Sequence, residues 1–277
     1  MRQFIWASLL LIGCLADSTG APARATADFD HTYQAYGALL ATHLEGTRVD
    51  YARLVSNRTA LDRVAATFGV VTREEDGAWP APQRMAYWIN AYNVFTLKAV
   101  ADHYPIRGSW LSFYPKNSIR QIDGVWTSLR WRAGGRQVTL DDIEHRILRP
   151  EFEDARVHFA VNCASIGCPP LAREPFRSER LDAQLDAAAV RYLAGATGLV
   201  VSGTTLRLSS IFKWYGSDFE AQFLPRGPAG RRGTERALLG MVAAYGPPAA
   251  RTLARDANTR IAWLDYDWAL NDVAAKR

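Results

Sequence analysis

Two cysteines close a short loop in Cys163-Ala164-Ser165-Ile166-Gly167-Cys168, which is followed by Pro169-Pro170. The apolar run Val157-His158-Phe159-Ala160-Val161-Asn162 leads into it. A thiol delivered to the mouth of a tight loop is a candidate nucleophile, because thiolate sulfur attacks acyl carbon readily. Upstream, Glu144 and His145 supply the carboxylate and imidazole that such chemistry uses. His145 reads as the general base, oriented by Asp141, Glu144 or a buried asparagine. The amides of residues 164–167 can then converge on an oxyanion. The chemistry expected is cysteine-dependent hydrolysis or acyl transfer on a peptide-like or ester substrate.

An alternative uses the same residues structurally. A loop of this size can bring Cys163 and Cys168 within bridging range, and a disulfide there stiffens one loop while adding little global stability. The protein is then a non-enzymatic extracytoplasmic module that binds a ligand or another protein. Its groove is built from Trp88, Tyr92, Trp214 and Tyr215, with Lys213 beside them. The chain order Asn, His, Cys also departs from the papain-like order, so a Cys-His enzyme here needs a permuted or unrelated arrangement. Zinc ligation is disfavoured because neither C-x-x-C nor H-x-x-x-H occurs, and no Gly-rich phosphate loop is present. No metal or cofactor is expected.

The elements that must position these groups read as mostly helical. Residues 28–44 and 51–68 carry apolar residues at helical spacing, and 74–82 reads as a polar loop. A long helix over 82–103 is apolar around most of its circumference, with Asn90 and Asn93 set into that sleeve. Buried amides need partners, so both asparagines tie neighbouring loops to the helix, and either can serve the catalytic centre. Strands and a hairpin are expected over 119–138. Thr139 and Asp142 then form a capping box for a helix carrying Glu144 and His145. Residues 156–162 alternate as a strand, 181–193 as a helix and 200–208 as a hairpin around Gly203. Residues 211–218 suggest a helical turn, 235–245 a helix and 260–268 a strand. His31 and His43 are expected on an outer, solvated helix, and His103 at the end of the long one. The sum is one α+β domain, mostly helical, with a small antiparallel sheet, over residues 26–277.

The first 25 residues read as an export signal: Arg2, an apolar stretch over 4–16, and Ala23-Arg24-Ala25 as a cleavage site. Leu11-Ile12-Gly13-Cys14 also matches a lipobox, in which Cys14 carries a lipid anchor. Both readings place the protein in the periplasm or outside the cell, where disulfides are permitted. No later window is long and apolar enough to cross a bilayer. The net charge of +5 is spread over scattered arginines without a basic run, which argues against nucleic-acid binding.

Several motifs together resemble the DUF547 family, in its exported bacterial form. They are Tyr87-Trp88-Ile89-Asn90-Ala91-Tyr92-Asn93, His103-Tyr104-Pro105, and Leu140-Asp141-Asp142-Ile143-Glu144-His145-Arg146-Ile147-Leu148-Arg149. The likeness continues through His158-Phe159-Ala160-Val161-Asn162-Cys163, Cys168-Pro169-Pro170-Leu171, Leu208-Ser209-Ser210-Ile211-Phe212-Lys213-Trp214-Tyr215 and Tyr266-Asp267-Trp268. It spans nearly all of residues 28–271. Arg146 stands where the family pattern has a small residue. The resemblance implies no reaction, since the family is defined by an unknown function.

Overall fold

The long helix Ala81–His103 organises the molecule, and nearly every side chain from Met85 to Ala101 is buried. This computed structural model describes residues 28–276; the export-signal reading of residues 1–25 and Cys14 lies outside them. Around the helix pack Arg58–Phe68, Tyr51–Ser56, Gln34–His43 and the segment carrying Leu140 and Ile143. A second apolar cluster gathers Phe159, Tyr192, Phe212, Phe219, Leu238 and Met241, from Leu181–Ala194, Ser210–Trp214 and Gly233–Tyr245. Phe159 belongs to the second cluster while its neighbours Val157, Ala160 and Val161 belong to the first. The approach to the cysteine loop is therefore the seam between the two cores.

The sheets are small. β1 (Leu44–Glu45) with β2 (Arg48–Val49), and β3 (Trp131–Ala133) with β4 (Arg136–Val138), are antiparallel hairpins. β5 (Leu199–Ser202) and β6 (Thr205–Ser209) form the expected hairpin around Gly203, whose φ of 58° suits a glycine. β7 (Arg260–Leu264) adds to β6 in parallel, so this sheet is mixed, and the expected last strand stops at Leu264. The architecture is α+β and mostly helical, and no helix among the described residues is long and apolar enough to cross a membrane.

Several local expectations are corrected. The polar 74–82 stretch contains a helix, Arg73–Ala78, started by a capping box between Thr72 and Glu75. The run 51–68 breaks at Asn57 into two helices, and a further helix, Pro248–Ala254, starts at the second proline of Pro247-Pro248. Residues 156–162 are not a strand: Val157–Ala160 makes one helical turn and the chain extends from Val161. All four of those residues are buried, so their alternation never marked an inside and an outside face. Strands are absent from 119–130, where a 3-10 turn over Ile119–Gln121 stands instead. His43 is buried rather than solvated, and burial pushes its imidazole pKa down. His31 is half-buried, edge-on to Trp79. His103 meets the carbonyl of Ala99 at the end of the long helix, as its position suggested.

Candidate functional site

Asn93 fixes the entry to the cysteine loop. Its Nδ2 donates to the Ala160 carbonyl at 2.9 Å and its Oδ1 accepts from the Asn162 amide at 2.8 Å. Asn162 continues the clamp, donating to the Pro169 carbonyl and accepting from the Ala164 amide. Ala164 then takes a left-handed conformation, φ 59°, which is costly for a residue with a Cβ and turns the chain sharply after Cys163.

From the other side the loop is held by the C-terminal segment. The amides of Ile166 and Gly167 donate to the carbonyls of Ala269 and Asp267, and the Asn271 amide donates to the Ala164 carbonyl. Gly167 suits this close approach, because a Cβ would sit 3.0 Å from the Asp267 nitrogen and 3.1 Å from the Tyr266 ring, a tight fit that would push the two segments apart by a few tenths of an ångström. This close pairing delivers Tyr266 and Trp268 to the cysteine. The pairing takes up the Ile166 and Gly167 amides and Asn162 Oδ1 takes that of Ala164, so of the four amides expected to bind an oxyanion only that of Ser165, which faces Cys163 Sγ, is left for it.

Cys163 and Cys168 are both free thiols in this structure. Their sulfurs are 2.9 Å apart, well beyond the roughly 2.05 Å of a covalent bridge. Cys163 Sγ also lies 3.2 Å from Ser165 Oγ and 3.2 Å from the Tyr266 hydroxyl. The Cys168 thiol, donating to an ionised Cys163, brings the Cys163 pKa down from 9.0 to about 7; burial opposes this, and the Ser165 and Tyr266 hydroxyls assist. Burial pushes Cys168 and Tyr266 the other way, so both keep their protons and remain donors. The asymmetry makes Cys163 the more readily ionised of the two sulfurs.

Cys163 lines a cavity of about 500 Å³ shared with Glu144, His145 and His158. Its aromatic walls come from Tyr92, Trp126, Tyr215, Trp214, Tyr266 and Trp268. Glu144 and His145 lie on Asp142–Leu148, which winds as a wide π-helical turn after the expected Thr139/Asp142 capping box. Glu144 is buried and accepts from the Tyr92 hydroxyl at 3.1 Å. His145 is exposed on the same cavity, and its Nδ1 is 2.9 Å from an Arg149 guanidinium nitrogen. Arginine can only donate, so Nδ1 accepts and the neutral ring carries its proton on Nε2. Asp141 stands 3.7 Å from Nε2, too far to orient it by a direct hydrogen bond. His145 makes no hydrogen bond to Cys163. Arg149, rather than Asp141, Glu144 or an asparagine, orients the imidazole, and the expected base is configured as a donor. Arg146 turns its side chain to solvent beside Asp142.

Arg149 is itself anchored by Asp218, with bonds of 2.6 and 2.9 Å from its Nε and Nη2. His158 Nε2 is 2.8 Å from the same carboxylate, with its ring stacked on Tyr215 at 4.6 Å. Burial alone would raise the Asp218 pKa, but the bonds from His158 and Arg149 prevail and hold its carboxyl well below the usual range.

The remaining expected site residues divide. Tyr92, Trp214 and Tyr215 line the cavity; Trp88 is fully buried, bonding Asp76 at 3.0 Å, and belongs to the core. Lys213 points to solvent outside the cavity. Asn90 spends its amide on the backbone of Phe176, and Asn93 acts only through the loop it clamps; neither reaches the cavity. Sequence reasoning missed Ser165, His158, Asp218, Arg149, Tyr266, Trp268 and Arg120 as site residues. Arg120 stacks over Trp268, 4.3 Å from its centroid, on the cavity wall. The Tyr266-Asp267-Trp268 signature was visible, but nothing in its spacing tied it to Cys163.

Residues 77–193 match the family model described as "Protein of unknown function, DUF547". That stretch is a DUF547 domain. The match holds Glu144, His145, Cys163 and Cys168 but stops short of Tyr215, Asp218, Tyr266 and Trp268, and is narrower than the resemblance over 28–271. No curated protein and no solved structure matches the chain.

Proposed function

We propose that this DUF547 protein is an extracytoplasmic cysteine-dependent enzyme that hydrolyses or transfers an acyl group from a peptide-like or ester substrate. The observation that carries the reading is Cys163 Sγ, set among the Cys168, Ser165 and Tyr266 donors that lower its pKa, on the wall of an aromatic cavity that also presents Glu144 and His145. The Cys163 thiolate attacks the acyl carbon, the bond from that carbon to the leaving oxygen or nitrogen breaks, and a thioester forms on Sγ while the leaving group takes its proton from water. The His145 Nε2–H supplies a hydrogen bond to the acyl oxygen or leaving group. The Glu144 carboxylate takes the proton of the water or acceptor that releases the acyl group. The export-signal reading of residues 1–25, or lipidation at Cys14, supports a site outside the cytoplasm.

A p-nitrophenyl ester tests the reaction. A burst of one equivalent of nitrophenolate, with one acyl group added at Cys163 by mass spectrometry, is expected. Cys163→Ala should abolish both, and Glu144→Gln should slow release of the acyl group. An unchanged ester turnover in Cys163→Ala rules the enzyme out. A second reading is favoured by the absence of a hydrogen bond between Cys163 and an imidazole and by the pairing of three of the four loop amides. In it the same cavity binds a ligand without turning it over, and Cys163→Ala then leaves binding intact.

A further inference from the structure

The segment between the long helix and Ile119 exposes three large apolar side chains together: Trp110 at 76%, Leu111 at 73% and Phe113 at 104% of full exposure. Folded proteins rarely leave such a group in water without a use for it. The loop is also built rather than loose. The Gly108 amide donates to the Lys116 carbonyl at 2.9 Å, and the Gln121 side-chain amide reaches the carbonyls of Ser109, Tyr114 and Pro115. Near the tip, the amides of Leu111 and Tyr114 donate to the Ser109 and Ser112 hydroxyls. Those backbone groups thus stay paired when water is withdrawn.

Charge decides the partner. From Pro105 to Ile122 the chain carries Arg107, Lys116 and Arg120 and no acidic residue, and all three cations are exposed. Trp, Leu and Phe at a tip with cations at its base form the pattern of a segment seated in a lipid–water interface over anionic headgroups. We propose that residues 105–118 dock this protein on an anionic membrane surface, with Trp110, Leu111 and Phe113 entering the interface. The loop reaches the cavity through Tyr114, which packs edge-on against Trp268 at 5.9 Å. Docking therefore holds the cavity beside the membrane whether or not Cys163 is a nucleophile.

Co-sedimentation with phosphatidylglycerol-containing and pure phosphatidylcholine vesicles tests this. Wild type is compared with Trp110→Ser/Leu111→Ser/Phe113→Ser; both carry the same N-terminus, so their difference reports on the loop. The triple variant should partition at least about tenfold more weakly, since each apolar side chain contributes on the order of tenfold when buried. Arg107→Gln/Lys116→Gln should weaken binding to the anionic vesicles alone, and added salt should mimic it. Phe113→Ser, changing one fully exposed side chain, gives the same direction if the triple variant fails to fold. Equal partitioning of wild type and variants overturns the proposal. So does a wild type that ignores vesicles and instead self-associates through this loop.

Discussion

At the scale of single residues, Cys163 is governed by what donates to it. Cys168→Ala removes the largest stabiliser of the thiolate, and Tyr266→Phe removes a weaker one. Alkylation of Cys163 should therefore shift to higher pH in both variants, further in the first; an unmoved midpoint would show that these contacts do not tune the sulfur. Asp218 makes a second case. It holds Arg149 and His158, so Asp218→Asn should cost about 2–3 kcal/mol in urea unfolding, less than a fully buried pair because its side chain keeps 22% exposure. Its carboxyl is depressed in the folded state, so the contribution is complete above the ordinary value of 3.8 and disappears as pH falls through the lower folded value. The wild-type advantage over Asp218→Asn should accordingly shrink in acid. Cys163, Glu144 and His145 were legible because their types are rare and chemical. Asp218, Tyr266 and Ser165 were not, since a carboxylate, a phenol and a hydroxyl gain meaning only from what they touch.

At the scale of elements, the two asparagines of the long helix separate stability from site geometry. Asn90→Ala and Asn93→Ala each leave a buried carbonyl and a buried amide without partners, a loss of roughly 2–4 kcal/mol. Only Asn93 grips the approach to Cys163. Its alanine variant should slow Cys163 alkylation, whereas Asn90→Ala should leave that rate alone; equal effects would mean the clamp is purely structural. The long helix, the capping box at Thr139 and the Gly203 hairpin could be read from the chain because each carries a local signal: a sleeve of apolar residues, a Thr/Asp pair three apart, a glycine between alternating runs. The Thr72/Glu75 capping box was equally local, yet the charges after it suggested a loop. The turn at Val157–Ala160 had no such signal. Its residues are buried on every side, and its shape is set by Asn93 on a distant helix.

At the scale of the molecule, two apolar clusters meet along the chain that enters the cysteine loop, and the site draws its walls from both. Cys163 and Glu144 flank the first cluster, while Ile211, Tyr215 and Tyr266 come from the second. Phe159 interlocks with Tyr192 and Phe212 while its neighbours pack into the other core. Urea unfolding followed by tryptophan fluorescence and by far-ultraviolet circular dichroism should therefore give superimposable single transitions. Two separated transitions would mean that the halves fold independently and that the cavity is a docking seam. The shared wall of Tyr92, Trp214 and Tyr215 was open to sequence reasoning, but the pairing of residues 267–271 with 164–167 was not, because it spans a hundred positions of chain.

The pH dependence of Cys163 alkylation by iodoacetamide in the native protein, followed residue by residue by mass spectrometry, tests the account most directly. It should rise with a midpoint near pH 7 while buried Cys168 stays protected. A midpoint at the ordinary thiol value of 9.0, or equal labelling of the two sulfurs, would contradict it.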